Sequence, residues 1–128
     1  MIAAVETVEG VLLVDVETEE LVGEGSEPPR VERPAVDLPR VVAAAGAGST
    51  VVAVIDRRPP LVVSHDGGRT WRESGGGLPA GFAVAIHEDD PDRILYGARN
   101  WLYVSEDGGT FWRRLAPELP DVLAVGWL

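Results

Sequence analysis

The sequence predicts an all-β fold made of repeated antiparallel sheets, and two regularly spaced motifs indicate it. The first is an octet, Ser64–Trp71, which returns as Ser105–Trp112 at an offset of 41 residues. The second is a Leu-Pro pair that begins at Leu38, Leu78 and Leu119, with spacings of 40 and 41 residues. Fifteen glycines and ten prolines add many turn positions. A fixed period of this length is typical of repeated supersecondary units.

Each octet has the pattern of a strand end, a tight turn and the start of a second strand. The aspartate accepts hydrogen bonds from backbone N–H groups of the turn, and the second glycine supplies a positive φ without steric cost. The tryptophan carries a large apolar anchor into a core. The residues predicted to hold these two turns are Ser64, Asp66, Gly68, Trp71, Ser105, Asp107, Gly109 and Trp112.

The shared pattern S-x-D-x-G-x-[TF]-W resembles the Asp-box, or BNR repeat, of sialidases, sortilin-type receptors and photosystem II assembly factors. In those families the box joins the third and fourth strands of a β-propeller blade. Phe111 stands where threonine is usual, at a position that we expect only to pack. The resemblance covers roughly residues 38–120 and implies a β-propeller of four-stranded blades.

The chain divides into segments of three, four, four and one strands. Residues 38–77 and 78–118 each form an Asp-box blade, and residues 1–37 form a degenerate blade that lacks its inner strand. Residues 119–128 form a single inner strand with no strands after it. Together the segments amount to three blades in one chain.

Three blades do not close a propeller, which typically has four to eight. We therefore expect a homodimer with twofold symmetry, in which residues 119–128 of each chain complete the N-terminal blade of the other. The result is a ring of six blades, the number in the sialidase-like propellers that the sequence resembles. Three chains forming nine blades, and a compact monomeric β-sandwich built from the same strands, are the alternatives.

The net charge of −10 argues against nucleic-acid binding, which depends on clustered Lys and Arg. No stretch approaches the ~20 apolar residues of a membrane span. The chain has no cysteine and therefore no disulfide or thiolate chemistry. Residues 1–6 lack the basic and apolar regions of a secretory signal. We expect a cytoplasmic protein without a nucleic-acid partner, a membrane partner or a cofactor.

The catalytic set of the sialidases is missing. That set includes three arginines around a carboxylate, a Tyr–Glu nucleophile pair, an acidic proton donor and a Phe/Tyr-Arg-Ile-Pro motif. The only tyrosines, Tyr96 and Tyr103, lie in predicted strands where packing explains them. We expect no catalytic residue and no enzymatic activity.

No metal site is predicted. The acidic loop 88–92 lacks the ligand spacing and the glycine of an EF-hand. Two histidines, His65 and His87, do not make a zinc site without further ligands. Ser64, His65 and Asp66 are neighbours on one tight turn, so they cannot converge as a catalytic triad.

A ligand is expected on the face opposite the Asp-boxes, where the loops between second and third strands lie. Arginines and a tryptophan there could hold an anion, a sugar or a peptide. The alternative is that Trp101 opens a strand and packs. The candidate residues are Arg57, Arg58, Arg99, Asn100 and Trp101.

These observations predict a non-catalytic, self-assembling β-propeller that binds a ligand or serves as a scaffold. The alternative is a glycoside hydrolase relative, sialidase-like, with sugar binding or residual hydrolysis. Paired carboxylates ~5–10 Å apart in the central channel would favour the hydrolase. A channel lined by the alanines and valines of the inner strands would favour the scaffold.

Overall fold

The computed structural model describes all residues, Met1–Leu128. It contains twelve β-strands joined by turns and loops. None of its elements is a helix with the length and apolar character needed to cross a membrane. The strands are β1 (Ile2–Thr7), β2 (Gly10–Asp15), β3 (Glu20–Gly25), β4 (Val41–Ala47), β5 (Thr50–Ile55), β6 (Leu61–Ser64), β7 (Arg72–Ser74), β8 (Ala83–Ile86), β9 (Ile94–Ala98), β10 (Trp101–Ser105), β11 (Arg113–Arg114) and β12 (Val122–Trp127).

The strands form three antiparallel sheets of four, which are the blades of a β-propeller. Blade 1 has the order β12-β1-β2-β3, blade 2 has β4-β5-β6-β7 and blade 3 has β8-β9-β10-β11. The inner strands β12, β4 and β8 are rich in Ala and Val, whose small side chains suit the crowded region where blades converge. The all-β architecture with four-stranded blades agrees with the expectation from the sequence.

The blades are not arranged in the order of the chain. The inner strand β8 of blade 3 contacts both β4 of blade 2 and β12 of blade 1, so blade 3 lies in the middle of an arc. One buried apolar core joins blades 2 and 3, with Tyr96 at its centre, and another joins blades 3 and 1 around Leu95. Blades 1 and 2 share no buried apolar core. The faces at the two ends of the arc belong to blades 2 and 1.

The C-terminal strand β12 completes blade 1 of its own chain. It pairs antiparallel with β1, and Val125 lies opposite Val5. The expected exchange of this strand between two chains stays a prediction, because the structure is that of one chain. Pairing within the chain is possible because the connector between β3 and β4, residues 26–40, is long. An extended segment of this length reaches about 50 Å, enough to carry blade 1 past blade 3 to its own β12.

The connector runs along the inner strands of the arc. A Cβ built on Gly126 of β12 would lie 2.6 Å from the Cβ of Pro29, and one on Gly46 of β4 would lie 3.6 Å from the Cγ of Pro34. Arg33 Nη2 also donates a hydrogen bond to the carbonyl of Val41 at 3.3 Å. The connector therefore crosses from blade 1 to blade 2 on the axial side of blade 3.

Candidate functional site

The first octet is a closed network of short-range hydrogen bonds. The Ser64 hydroxyl donates to Asp66 Oδ1 at 2.7 Å and accepts from the backbone N–H of Gly68 at 2.8 Å. Asp66 also accepts from the Thr70 hydroxyl at 2.6 Å and the Thr70 N–H at 2.9 Å. These bonds, the Thr70 hydroxyl first, hold the pKa of Asp66 far below its usual range. The carboxylate of Asp66 is thus committed to the turn.

The second octet repeats this network without the bond of the Thr70 hydroxyl, because Phe111 occupies that position. Phe111 is exposed, so the expectation that it packs is wrong. Ser105 donates to Asp107 Oδ1 and accepts from the N–H of Gly109, both at 2.8 Å. Asp107 Oδ1 accepts from the N–H of Phe111 at 2.9 Å, and this bond is the main reason why the pKa of Asp107 is lowered. Gly68 and Gly109 have φ values of 91° and 93°, which residues other than glycine rarely adopt.

The two octet tryptophans lie in different surroundings. Trp112 packs at the boundary of blades 2 and 3, where its Nε1 donates to Ser74 Oγ at 2.9 Å. Its ring meets Tyr96 edge-on, with centroids 6.2 Å apart. Trp71 packs instead against Ala53 and its neighbours on the end face of blade 2. The tryptophan of the motif therefore packs between two blades in one octet and at the end of the arc in the other.

The candidate ligand residues fall into two groups on different blades. Arg57 and Arg58 are exposed in the β5–β6 loop of blade 2, and Arg57 lies 3.6 Å from Glu73. Arg57 also lines a cleft of about 490 Å³ with Leu38 and Arg40. Arg58 is not among the residues that line this cleft.

Arg99 and Asn100 form the β9–β10 turn of blade 3, and Trp101 begins β10. The Arg99 carbonyl accepts from the N–H of Val122 at 2.6 Å, and Asn100 Nδ2 donates to Glu118 at 2.9 Å. The guanidinium of Arg114 lies 4.0 Å from the Trp101 ring centroid. These contacts match the packing alternative for Trp101, because its ring is already covered.

The remaining polar candidates are also engaged in structural contacts. Tyr96 is fully buried, its hydroxyl donates to the Pro79 carbonyl at 2.7 Å, and burial raises its pKa. In the acidic loop, Asp90 pairs with Arg93 at 3.3 Å, and the carbonyl of Asp92 accepts from Gly108. No group of three or more His, Asp or Glu side chains is arranged to hold a metal ion.

An apolar groove along the inner strands, which we name the axial groove, is the feature that sequence reasoning missed. It encloses about 280 Å³ between the connector and strands β4, β8 and β12. The sequence signal is the spacing of Val42, Phe82 and Leu123, which are 40 and 41 residues apart and lie within one residue of the start of the three inner strands. The lining residues are Pro29, Val31, Arg33, Val42, Ala43, Ala44, Phe82, Ala83, Val84, Leu123, Ala124 and Val125.

The fold is similar to that of a solved β-propeller enzyme. An ancestral GH74 enzyme superposes with a TM-score of 0.52 and 13% identity, over 94% of this chain and 17% of that enzyme. The GH74 enzyme of Niastella koreensis gives 0.48 and 22%, over 92% of this chain and 18% of that enzyme. This chain thus spans less than a fifth of their length. No family model and no curated protein sequence matches it. The first superposition supports the β-propeller fold, and the likeness concerns the fold alone.

Proposed function

We propose that the chain is a non-catalytic β-propeller module, with Asp-box turns, that binds apolar surface or serves as a scaffold and assembles with further copies of itself. The observation that carries the proposal is the lining of the axial groove. Arg33 is the only charged residue among the 12 that line it. Such a groove offers contact area to an apolar group and provides no acid, base or nucleophile to act on it.

Glycoside hydrolysis uses two carboxyl groups that flank the scissile bond. The axial groove contains none. The carboxylates of Asp66 and Asp107 are held in their turns, and the Tyr96 hydroxyl is bonded to Pro79. These engagements favour structural roles over catalysis. The likeness to a GH74 enzyme favours the competing hypothesis of a hydrolase. A shared fold alone, however, does not imply a shared catalytic activity.

The self-assembly part of the proposal follows from the open arc. Three blades leave one apolar sheet face uncovered by another blade at each end, and propellers normally bury both faces of every blade. A further copy of the chain supplies the missing blades without any other protein.

Two exposed phenylalanines provide a matched test of the groove. Phe82 is 62% exposed and lines the groove, whereas Phe111 is 76% exposed and lies in the second octet. With anilinonaphthalene sulfonate as the apolar probe, Phe82→Ser should weaken dye binding at least about threefold, because it removes aromatic area from the site. Phe111→Ser should leave binding unchanged. Equal effects of the two variants would contradict the groove as the binding site.

The same purified protein tests the absence of catalysis. Incubation with chromogenic glycosides and soluble polysaccharides should release no more reducing sugar than buffer does. Release that rises with protein concentration and disappears after replacement of one carboxylate would contradict a non-catalytic function and favour the hydrolase.

A further inference from the structure

The two ends of the arc carry sheet faces that no blade of the chain covers. At one end, Ala53 and Ile55 belong to a small apolar cluster on blade 2, which we name the blade 2 end face. These residues are buried beneath partly exposed side chains of the same chain and not beneath another blade. At the other end, side chains alternate along the strands of blade 1. Val5 points into the core with blade 3, so Ala4 and Leu13 lie on the opposite side, the blade 1 end face.

A repeated leucine marks the boundaries between blades. Leu78 packs against the core between blades 2 and 3, and Leu119 is buried in the core between blades 3 and 1. Leu38, at the equivalent position of the repeat, packs only against the blade 2 end face. The repeated leucine thus marks three contacts between blades. Two of them, between blades 2 and 3 and between blades 3 and 1, form within the chain. For the third, the chain supplies only the blade 2 side.

The charges of the chain are segregated between these two ends. Residues 1–27, which form β1 to β3 of blade 1, contain eight carboxylates and no basic residue. Residues 28–77, the remainder of the connector and blade 2, contain seven of the 11 arginines and five carboxylates. The formal side-chain charges of these segments are −8 and +2, and that of residues 78–128 is −4. The acidic segment lies at the blade 1 end of the arc, and the basic segment runs from the inner strands to the blade 2 end.

Most of these charges have no ionic partner within the chain. Of the eight carboxylates in residues 1–27, only Glu17 and Glu19 form salt bridges, and their side-chain partners are Arg93 and Arg113 of blade 3. Of the seven arginines in residues 28–77, only Arg57 does, at 3.6 Å from Glu73. Six carboxylates of residues 1–27 and six arginines of residues 28–77 therefore have no salt bridge within the chain. Two of these arginines, Arg30 and Arg33, lie beside the inner strands and not at the end of the arc.

Both ends of the arc carry charged side chains on the same side of the arc. Glu6 and Glu9 flank the β1–β2 turn, and Arg57 lies in the β5–β6 loop. Both connections join the second and third strands of a blade, so both lie opposite the octet turns. Arg40 and Arg57 line the cleft beside Leu38, at the rim of the blade 2 end face.

We propose that the blade 1 end face of one chain docks on the blade 2 end face of a second copy. Two such contacts related by a twofold axis close a six-bladed ring. The docking sets Glu6 and Glu9 of one chain opposite Arg40 and Arg57 of the other, and each β12 stays in its own blade. This inference rests on the proposed self-assembly and identifies the surfaces that perform it.

Charge reversal tests the contact. The variant E6K/E9K and the variant R40E/R57E each place like charges across both interfaces of a homodimer, which opposes self-association. Each should bind itself more than about 100-fold more weakly than the unaltered chain does. An equimolar mixture pairs opposite charges across both interfaces, so the dimer should return. Sedimentation equilibrium at low salt measures all three samples.

The control variant E88K/D89K makes the same change of charge in the acidic loop of blade 3 and should remain dimeric. Circular dichroism should show the native sheet signal in every variant, since the replaced side chains are partly or fully exposed. Variants that stay dimeric, or a mixture that stays monomeric, would overturn this interface. If the unaltered chain is dimeric in that case, the proposed self-assembly survives. If the unaltered chain is monomeric, both fail.

Discussion

The indole Nε1 of Trp112 donates a hydrogen bond to Ser74 Oγ at 2.9 Å, and this bond ties the second octet of blade 3 to the last strand of blade 2. Ser74 is itself buried, and its hydroxyl donates to the carbonyl of Gly109 in the same octet. One small side chain therefore satisfies a donor and an acceptor at the boundary of two blades. The octet turns act between blades as well as within them.

Replacement of Ser74 by alanine should destabilise the protein by about 1–3 kcal/mol, because the Trp112 N–H and the Gly109 carbonyl lose their partner. Urea denaturation followed by tryptophan fluorescence measures the change. Ser49→Ala is the control, since Ser49 is exposed and its hydroxyl makes no hydrogen bond, and it should change stability by less than about 0.5 kcal/mol. Equal losses in the two variants would contradict the bridging role of Ser74.

Asp66 should make stability depend on acid pH. Its folded pKa lies below the ordinary value of 3.8, so its contribution is full at pH values above the unfolded pKa. That contribution is lost as the pH falls through 3.8 towards the folded pKa. Asp66→Asn should lower the melting temperature at pH 7 and reduce its decline between pH 5 and pH 2. Asp56→Asn, at an exposed aspartate outside the octets, should preserve the full decline.

Gly97 lies where blade 3 packs closely against β12 of blade 1. A Cβ at this position would lie 2.7 Å from Cγ1 of Val122 and 3.1 Å from Cγ1 of Val125. Gly97→Ala should cost about 1–3 kcal/mol because a packed core resists added volume. Gly23→Ala meets no atom within 4 Å and should be neutral within about 1 kcal/mol. The melting temperatures of the two variants measure this difference. Equal changes in both variants would contradict crowding at Gly97 as the cause.

A pair of introduced cysteines can report which chain supplies β12. Glu6 and Ala124 lie opposite each other on β1 and β12, and the natural chain has no cysteine to interfere. After mild oxidation, E6C/A124C should run as a faster-migrating monomer on a non-reducing gel, because the disulfide closes within one chain. A covalent dimer would show that the strand is exchanged between chains.

The octets could be predicted because their bonds are local. Ser64, Asp66 and Thr70 interact within a few residues of one another, so residue type and spacing determine the geometry. The blades could be predicted because the Leu-Pro repeat marks where each inner strand begins. Packing distances between blades were not needed for either inference.

The path of the connector could not be predicted in the same way. Its prolines indicate irregular backbone, but the direction of travel depends on contacts such as that of Pro29 with Gly126, 97 residues further along the chain. The same limitation explains why the sequence could not show whether the candidate ligand residues form one site. Arg57 and Arg99 occupy equivalent loops of neighbouring blades, and whether their side chains converge depends on blade packing rather than on spacing.

The mass of the protein in solution tests the central claim, that the chain is half of a closed propeller. Light scattering on a sizing column should give about twice the chain mass of 13.7 kDa, because two three-bladed arcs form one ring. A mass of 13.7 kDa that persists as the protein is concentrated would contradict the claim, since no other blade would then cover either end of the arc in the native protein.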